Sequence, residues 1–135
     1  CDLALIEHKL KEHNLAGELP LIPPLPGKPV QLAGCTFNFF PVCHSIIDGC
    51  GIGIETPIGT IVHTGDFELD PDPLSGSGTD LETFRAFSGE KGARLLLSDS
   101  TNVERDGHTL SEREVFASLK RFFTDCTGRI VVTLF

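Results

Sequence analysis

"IGIETPIGTIVHTGDFELD", residues 52–70, sets two short apolar runs on either side of a proline–glycine break. Two β-rich runs, 52–56 and 60–65, flank "PIG" at 57–59. Such runs joined by a short glycine-containing turn predict a hairpin, with Gly59 in the turn. The second run is apolar at Ile61 and Val62, turns polar through His63, Thr64 and Gly65, and ends on Asp66. A carboxylate where an apolar strand emerges is either a turn residue or a ligand for something positively charged.

Upstream of the hairpin, "CDLALIEHKLKEHNLAG" (1–17) predicts a helix. Leu3, Ile6 and Leu10 share a face, Glu7 and Lys11 are spaced i,i+4, and Gly17 is placed to stop it. Five prolines in 18–29 make that stretch an extended connection. "VQLAG" (30–34) and "CTFNFFPV" (35–42) predict strands, the second with Phe37 and Phe39 alternating with Thr36 and Asn38. Gly49, Gly51 and Gly53 then interrupt the chain.

Downstream, 70–78 is a loop by composition. Thr79 and Glu82 form a capping-box pattern before Leu81, Phe84 and Phe87. "ARLLLSDS" (93–100) reads as a buried strand ending in polar residues. Ser111 and Glu114 make a second capping box, with Val115, Leu119 and Phe122 as the apolar stripe of its helix. "RIVVTLF" (129–135) reads as the last strand, stopping with no turn or cap after it. Hairpins dominate the first half and helix–strand alternation the second. The expectation is a mixed α/β chain spanning parts of two structural units.

The 135 residues amount to about one domain. Eleven basic against nineteen acidic side chains give a net charge of −8, the opposite of an autonomous nucleic-acid binder. If the protein handles phosphates, bound cations or a further basic region must supply the attraction. Five cysteines without a CxxC pair argue against a disulfide framework and for a reducing, cytoplasmic setting. No apolar run reaches membrane-spanning length. With Cys1 first and no methionine anywhere, the chain is expected to be a piece of something longer.

Two predicted strand ends deliver polar groups: His44 from one, His63 and Asp66 from the other. Imidazole nitrogen and carboxylate oxygen suit zinc or manganese, and one carboxylate can bridge two ions. The plainer readings are a hydrogen-bonded structural histidine and a turn aspartate. Two ligands also fall short of the roughly three that a catalytic zinc needs. Cys43 and Cys50 flank His44, but their spacing matches no zinc-finger pattern. In "SDSTN" (98–102), hydroxyls and backbone N–H groups could hold a phosphate, or simply form a polar turn. His8, His13 and His108 read as surface residues.

Taken together, "ALIEHKLKEHNL", "FFPVCHSIIDGCGIGIETPIGTIVHTGDFELDP", "TDLETF", "LLLSDSTNVERDGHTLSE" and "GRIVVTLF" resemble, in order, the ribonuclease J family. That resemblance implies a partial metallo-β-lactamase αββα sandwich over residues 1–90. The first elements of a β-CASP α/β domain would follow over 91–135. It implies a metal-dependent ribonuclease that cuts RNA internally and trims it from the 5′ end, oligomeric as a whole protein. By resemblance His44 binds one of two divalent metals, zinc or manganese, and Asp66 bridges both. Together they act catalytically through the metals. His63 is not expected to be a ligand. Ser98 and Ser100 resemble serines near the pocket for the RNA 5′ phosphate.

The departures are specific. The family's His-x-His-x-Asp-His motif is absent, as are the ligand histidine and Ser/His segment expected further downstream. Ile47 stands where a proline is usual and Gly49 where an alanine is usual. A fragment inactive alone but active in its parent is therefore expected. The alternatives are a non-catalytic binding or structural module of the same fold, or another hydrolase of the superfamily. Exposed apolar faces should accompany a partial sandwich.

Overall fold

The computed structural model describes residues 3–133, apart from 26, 47, 75 and 77. Cys1, Ile47 and the end of the 129–135 run lie outside the described residues. The central hairpin forms as the sequence predicts. Strands β3 (Cys50–Thr56) and β4 (Gly59–His63) pair antiparallel, with Thr56 opposite Gly59. Gly59 takes φ 134°, and the Thr56 hydroxyl donates to its carbonyl at 2.6 Å. Outward lie β2 (Cys35–Pro41) and β1 (Val30–Leu32), also antiparallel, and on the far side β5 (Leu95–Leu97), parallel to β4. The result is one five-stranded mixed sheet in the order β1-β2-β3-β4-β5. With helices α1 (Leu3–Glu12), α2 (Leu81–Ser88) and α3 (Glu112–Asp125), the fold is mixed α/β.

Gly51 and Gly53 do not interrupt the sheet as expected; they lie inside β3. A Cβ on Gly51 would stand 2.6 Å from the Phe84 ring, and one on Gly53 2.5 Å from the Phe87 ring. The glycines open a trough in which the aromatic face of α2 rests. Phe84 and Phe87 then meet the Phe40 ring at 5.0 and 5.2 Å between centroids. The core on this face is Phe40, Val42, Val62 and Phe84, flanked by Phe67, Phe87 and Ala93. The strand alternation of Phe37 and Phe39 points away from it, and both are only half-buried.

Helix boundaries depart from expectation for physical reasons. α1 ends at Glu12, ahead of Gly17. Asn14 takes the left-handed conformation (φ 57°), with Leu15 N–H donating to the Leu10 carbonyl and Asn14 N–H to Lys11. This is the Schellman closure, so Gly17 is not needed as the stop. α2 is capped by Asp80, whose carboxylate accepts from the N–H groups of Glu82 and Thr83, not by Thr79. The Ser111–Glu114 capping box of α3 is present. Buried Asp70 adds to it, accepting from Glu112 N–H at 2.7 Å.

The apolar surfaces are the other departure. β5 is a strand, but Leu95, Leu96 and Leu97 are exposed instead of buried. Residues 129–133 form no strand, and Val131 is 83% exposed. An apolar run becomes a strand only when a neighbour takes its backbone hydrogen bonds, and none does so here among the described residues. The stripe of α3, including Leu119 and Phe122, is likewise open. The expected uncovered apolar faces are thus observed. No helix among the described residues is long and apolar enough to cross a membrane.

Candidate functional site

The site is built where β4 and β5 end side by side. Their parallel pairing continues one step beyond β4, with Thr64 N–H donating to the Leu97 carbonyl at 3.0 Å. The chain then turns at Gly65 (φ 66°). Glycine is required there twice over. Its φ is left-handed, and a Cβ would approach the Cys50 carbonyl to 2.9 Å. Gly65 N–H donates to His63 Nδ1 at 2.9 Å, so a neutral His63 carries its proton on Nε2.

The turn delivers Asp66, exposed, into a shallow cleft of about 470 Å³. His63, Gly65, Leu96, Leu97, Ser98 and Asp99 line the rest. Asp66 and Ser98 are therefore brought together. His44 and Ser100 are not among the lining residues. His44 is half-buried, with Nδ1 3.2 Å from the Ser45 hydroxyl.

Asp99, which sequence reasoning passed over as part of a polar turn, organises the "SDSTN" loop. Its Oδ1 accepts from the Thr101 hydroxyl at 2.6 Å and the Thr101 N–H at 3.0 Å. Further backbone bonds come from Phe67, next to Asp66, and from Ser100. Asp99 N–H in turn donates to the Thr64 hydroxyl at 3.1 Å. The two loops that meet at the cleft are tied in both directions. The Ser98 hydroxyl bonds the Asp99 carbonyl, so the bonding of this serine is local. The signal that could have found Asp99 was the Asp-x-Thr spacing of an Asx turn.

The Thr101 hydroxyl, followed by its N–H, holds the Asp99 carboxyl below its ordinary value of 3.8. A depressed folded-state pKa stabilises the loop fully above the unfolded value. That contribution is lost as pH falls through the folded one. The amide exchange rate of Thr101, corrected for intrinsic chemistry, should stay constant down to pH 3.8 and rise only below it. Asp99→Asn should exchange faster at neutral pH and lose that acid dependence. A wild-type rate that rises already between pH 6 and 5 would contradict the assignment.

Cys43 is buried, and burial, followed by the charges of Glu112, Glu68 and Asp70, pushes its thiol pKa up. It is a poor candidate for a thiolate ligand. Cys50 is exposed. Among the described residues no group of three or more His, Cys, Asp and Glu could hold a metal ion. His44 and Asp66 are donors of a suitable kind. They do not by themselves make a complete site.

No protein-family model matches the chain. Among solved structures it is similar to a protein of unknown function from Enterococcus faecalis V583. The TM-score is 0.56 at 18% identity, covering 78% of this chain and 25% of that one, a likeness of fold alone. Among curated proteins it is 43% identical over 135 residues to ribonuclease J of Thermus thermophilus. It is 40% identical over 135 residues to ribonuclease J of Synechocystis, and 37% over 134 to that of Helicobacter pylori. Each alignment covers 98% of this chain but only 23%, 21% and 19% of the relative. The chain thus spans about a fifth of the length of the relatives it matches. At 37–43% identity over 98% of its length, the chain belongs to the ribonuclease J family.

Proposed function

We propose that this chain is the part of a ribonuclease J-type enzyme that contributes His44 and Asp66 to a two-metal centre hydrolysing RNA phosphodiesters. The observation that carries the reading is Asp66 itself. It is an exposed carboxylate, set on a glycine-enforced turn at a strand end, in a cleft. It lies within the segment that aligns with ribonucleases J at 37–43% identity. The remaining ligands come from outside the described residues. Bound divalent ions, zinc or manganese, would supply Lewis-acid charge and an activated water. Their charge would also offset the −8 of this chain toward an anionic substrate.

The chain's own contribution is positional. Gly65 aims the carboxylate, and Thr64 and Asp99 lock the Asp66 turn to the neighbouring loop. Ser98, at the cleft wall, and Ser100 would serve near the pocket for the RNA 5′ phosphate, as the resemblance implies. In this reading β1 to β4, within residues 1–90, belong to a metallo-β-lactamase sandwich, and β5 opens the β-CASP part over 91–135. The open face of the sheet and the stripe of α3 are covered by the rest of the protein, β-CASP unit included. The whole protein works on RNA, cutting internally and trimming from the 5′ end, as a cytoplasmic oligomer.

The test is an assay of the full-length protein on 5′-monophosphorylated RNA. Cleavage should occur, should stop on adding EDTA and should return with zinc or manganese. Incomplete ligation among the described residues is also what a non-catalytic module of this family would show. Absence of cleavage with both metals would decide for that module.

A further inference from the structure

The segment that carries His44 and the turn that carries Asp66 are joined by an unusual strand contact. Cys43 and Glu68 form an isolated antiparallel bridge, one residue from His44 and two from Asp66. In a hydrogen-bonded antiparallel pair the two residues exchange both N–H···O bonds. Here only one bond is direct: Glu68 N–H donates to the Cys43 carbonyl at 2.7 Å. The return bond passes through a side chain. Cys43 N–H donates to the Thr79 hydroxyl at 2.9 Å, and that hydroxyl donates to the Glu68 carbonyl at 2.8 Å. One oxygen accepts and donates, as an inserted water would.

Thr79 is itself firmly placed. It is half-buried and precedes Asp80, the N-cap of α2, whose Phe84 is locked into the core. The geometry points to Thr79 as a positioning residue, a hydroxyl wedge that sets the separation of the His44 segment from the Asp66 turn. This rests on the reading of His44 and Asp66 as parts of one catalytic centre. Two legs of 2.9 and 2.8 Å hold the peptides further apart than one direct bond of about 2.9 Å. Without the hydroxyl, the pair either closes by on the order of 1 Å or leaves both buried-side groups unbonded. A misplacement of that size costs about 10²-fold in a positioned reaction.

The test uses the full-length protein and three variants. Thr79→Val keeps the shape and removes the hydroxyl, Thr79→Ser keeps the hydroxyl, and Thr79→Cys offers a weakly bonding thiol should the valine variant not fold. RNA cleavage is resolved into kcat and KM, and exchange of the Cys43 and Glu68 amides is followed without added metal. Expected for valine is a drop in kcat of about 10²-fold, with KM within about 2-fold. Serine should stay near wild type, and cysteine should fall between. The Cys43 amide should exchange faster in Thr79→Val but not in Thr79→Ser. Wild-type kcat in both Thr79→Val and Thr79→Cys, in a protein that cleaves RNA, overturns the wedge alone. So does a serine variant as impaired as the valine one. A wild-type protein that does not cleave RNA removes the functional reading and the positioning role with it. Amide exchange then still reports whether the hydroxyl joins the two segments.

Discussion

Asp66→Ala in the full-length protein should lower kcat for RNA cleavage by about 10³-fold while leaving the fold intact. The two halves of that expectation have separate grounds. Asp66 is exposed at the end of a turn whose backbone is fixed by Gly65, Thr64 and Asp99. Surface substitutions of that kind usually change stability by no more than about 0.5 kcal/mol. The functional loss follows from its place in the cleft. On the proposed reading this carboxylate would hold cations at a developing charge, and its removal would take that stabilisation away. Asp66→Asn, which keeps the shape and drops the charge, should lose nearly as much. Kinetics at saturating RNA, paired with amide exchange of the β4 residues, separates activity from folding. Retained activity in both variants would return Asp66 to the plainer role of a turn residue.

The β3–β4 hairpin was legible because its signals are local: β-branched runs and a glycine in the turn. The Ser111–Glu114 box was legible for the same reason. Gly51 and Gly53 were misread because glycine reads locally as a break. Its purpose here is to admit Phe84 and Phe87, some thirty residues later. Thr79 and Asp80 offered two adjacent cap candidates. The choice fell to a tertiary contact, since the Thr79 hydroxyl is engaged by Cys43 and Glu68. Residues 129–133 have the composition of a strand, but a strand is a property of a pair. In the site, Asp66 stood out because a strand end presents it. Asp99 did not, because its work is done through bonds to Thr101 and Phe67 that composition cannot reveal.

Gly53→Ala should destabilise the sheet strongly. The added Cβ would stand 2.5 and 2.7 Å from two atoms of the Phe87 ring and 2.7 Å from the Phe40 ring. Those rings come from α2 and β2, so relief in one direction presses on the other. Overpacking of this kind costs about 1–3 kcal/mol. The gain from stiffening the unfolded chain, about 0.4–1 kcal/mol, does not offset it. Gly128→Ala is the control, since nothing lies within 4 Å of its Cβ position. Native-state exchange of the β3 amides measures the difference locally, without requiring the whole protein to unfold in one step. Gly53→Ala combined with Phe87→Leu should recover part of the loss, because contacting residues couple non-additively. The same displacement has a functional consequence. If Phe87 is pushed out, α2 moves with it, and Thr79 at the head of α2 moves relative to Cys43 and Glu68. Gly53→Ala should therefore lower kcat even where the protein remains folded, and the rescuing double variant should restore stability and turnover together. Stability recovered without turnover would mean that the sheet-to-helix packing and the His44–Asp66 geometry are independent.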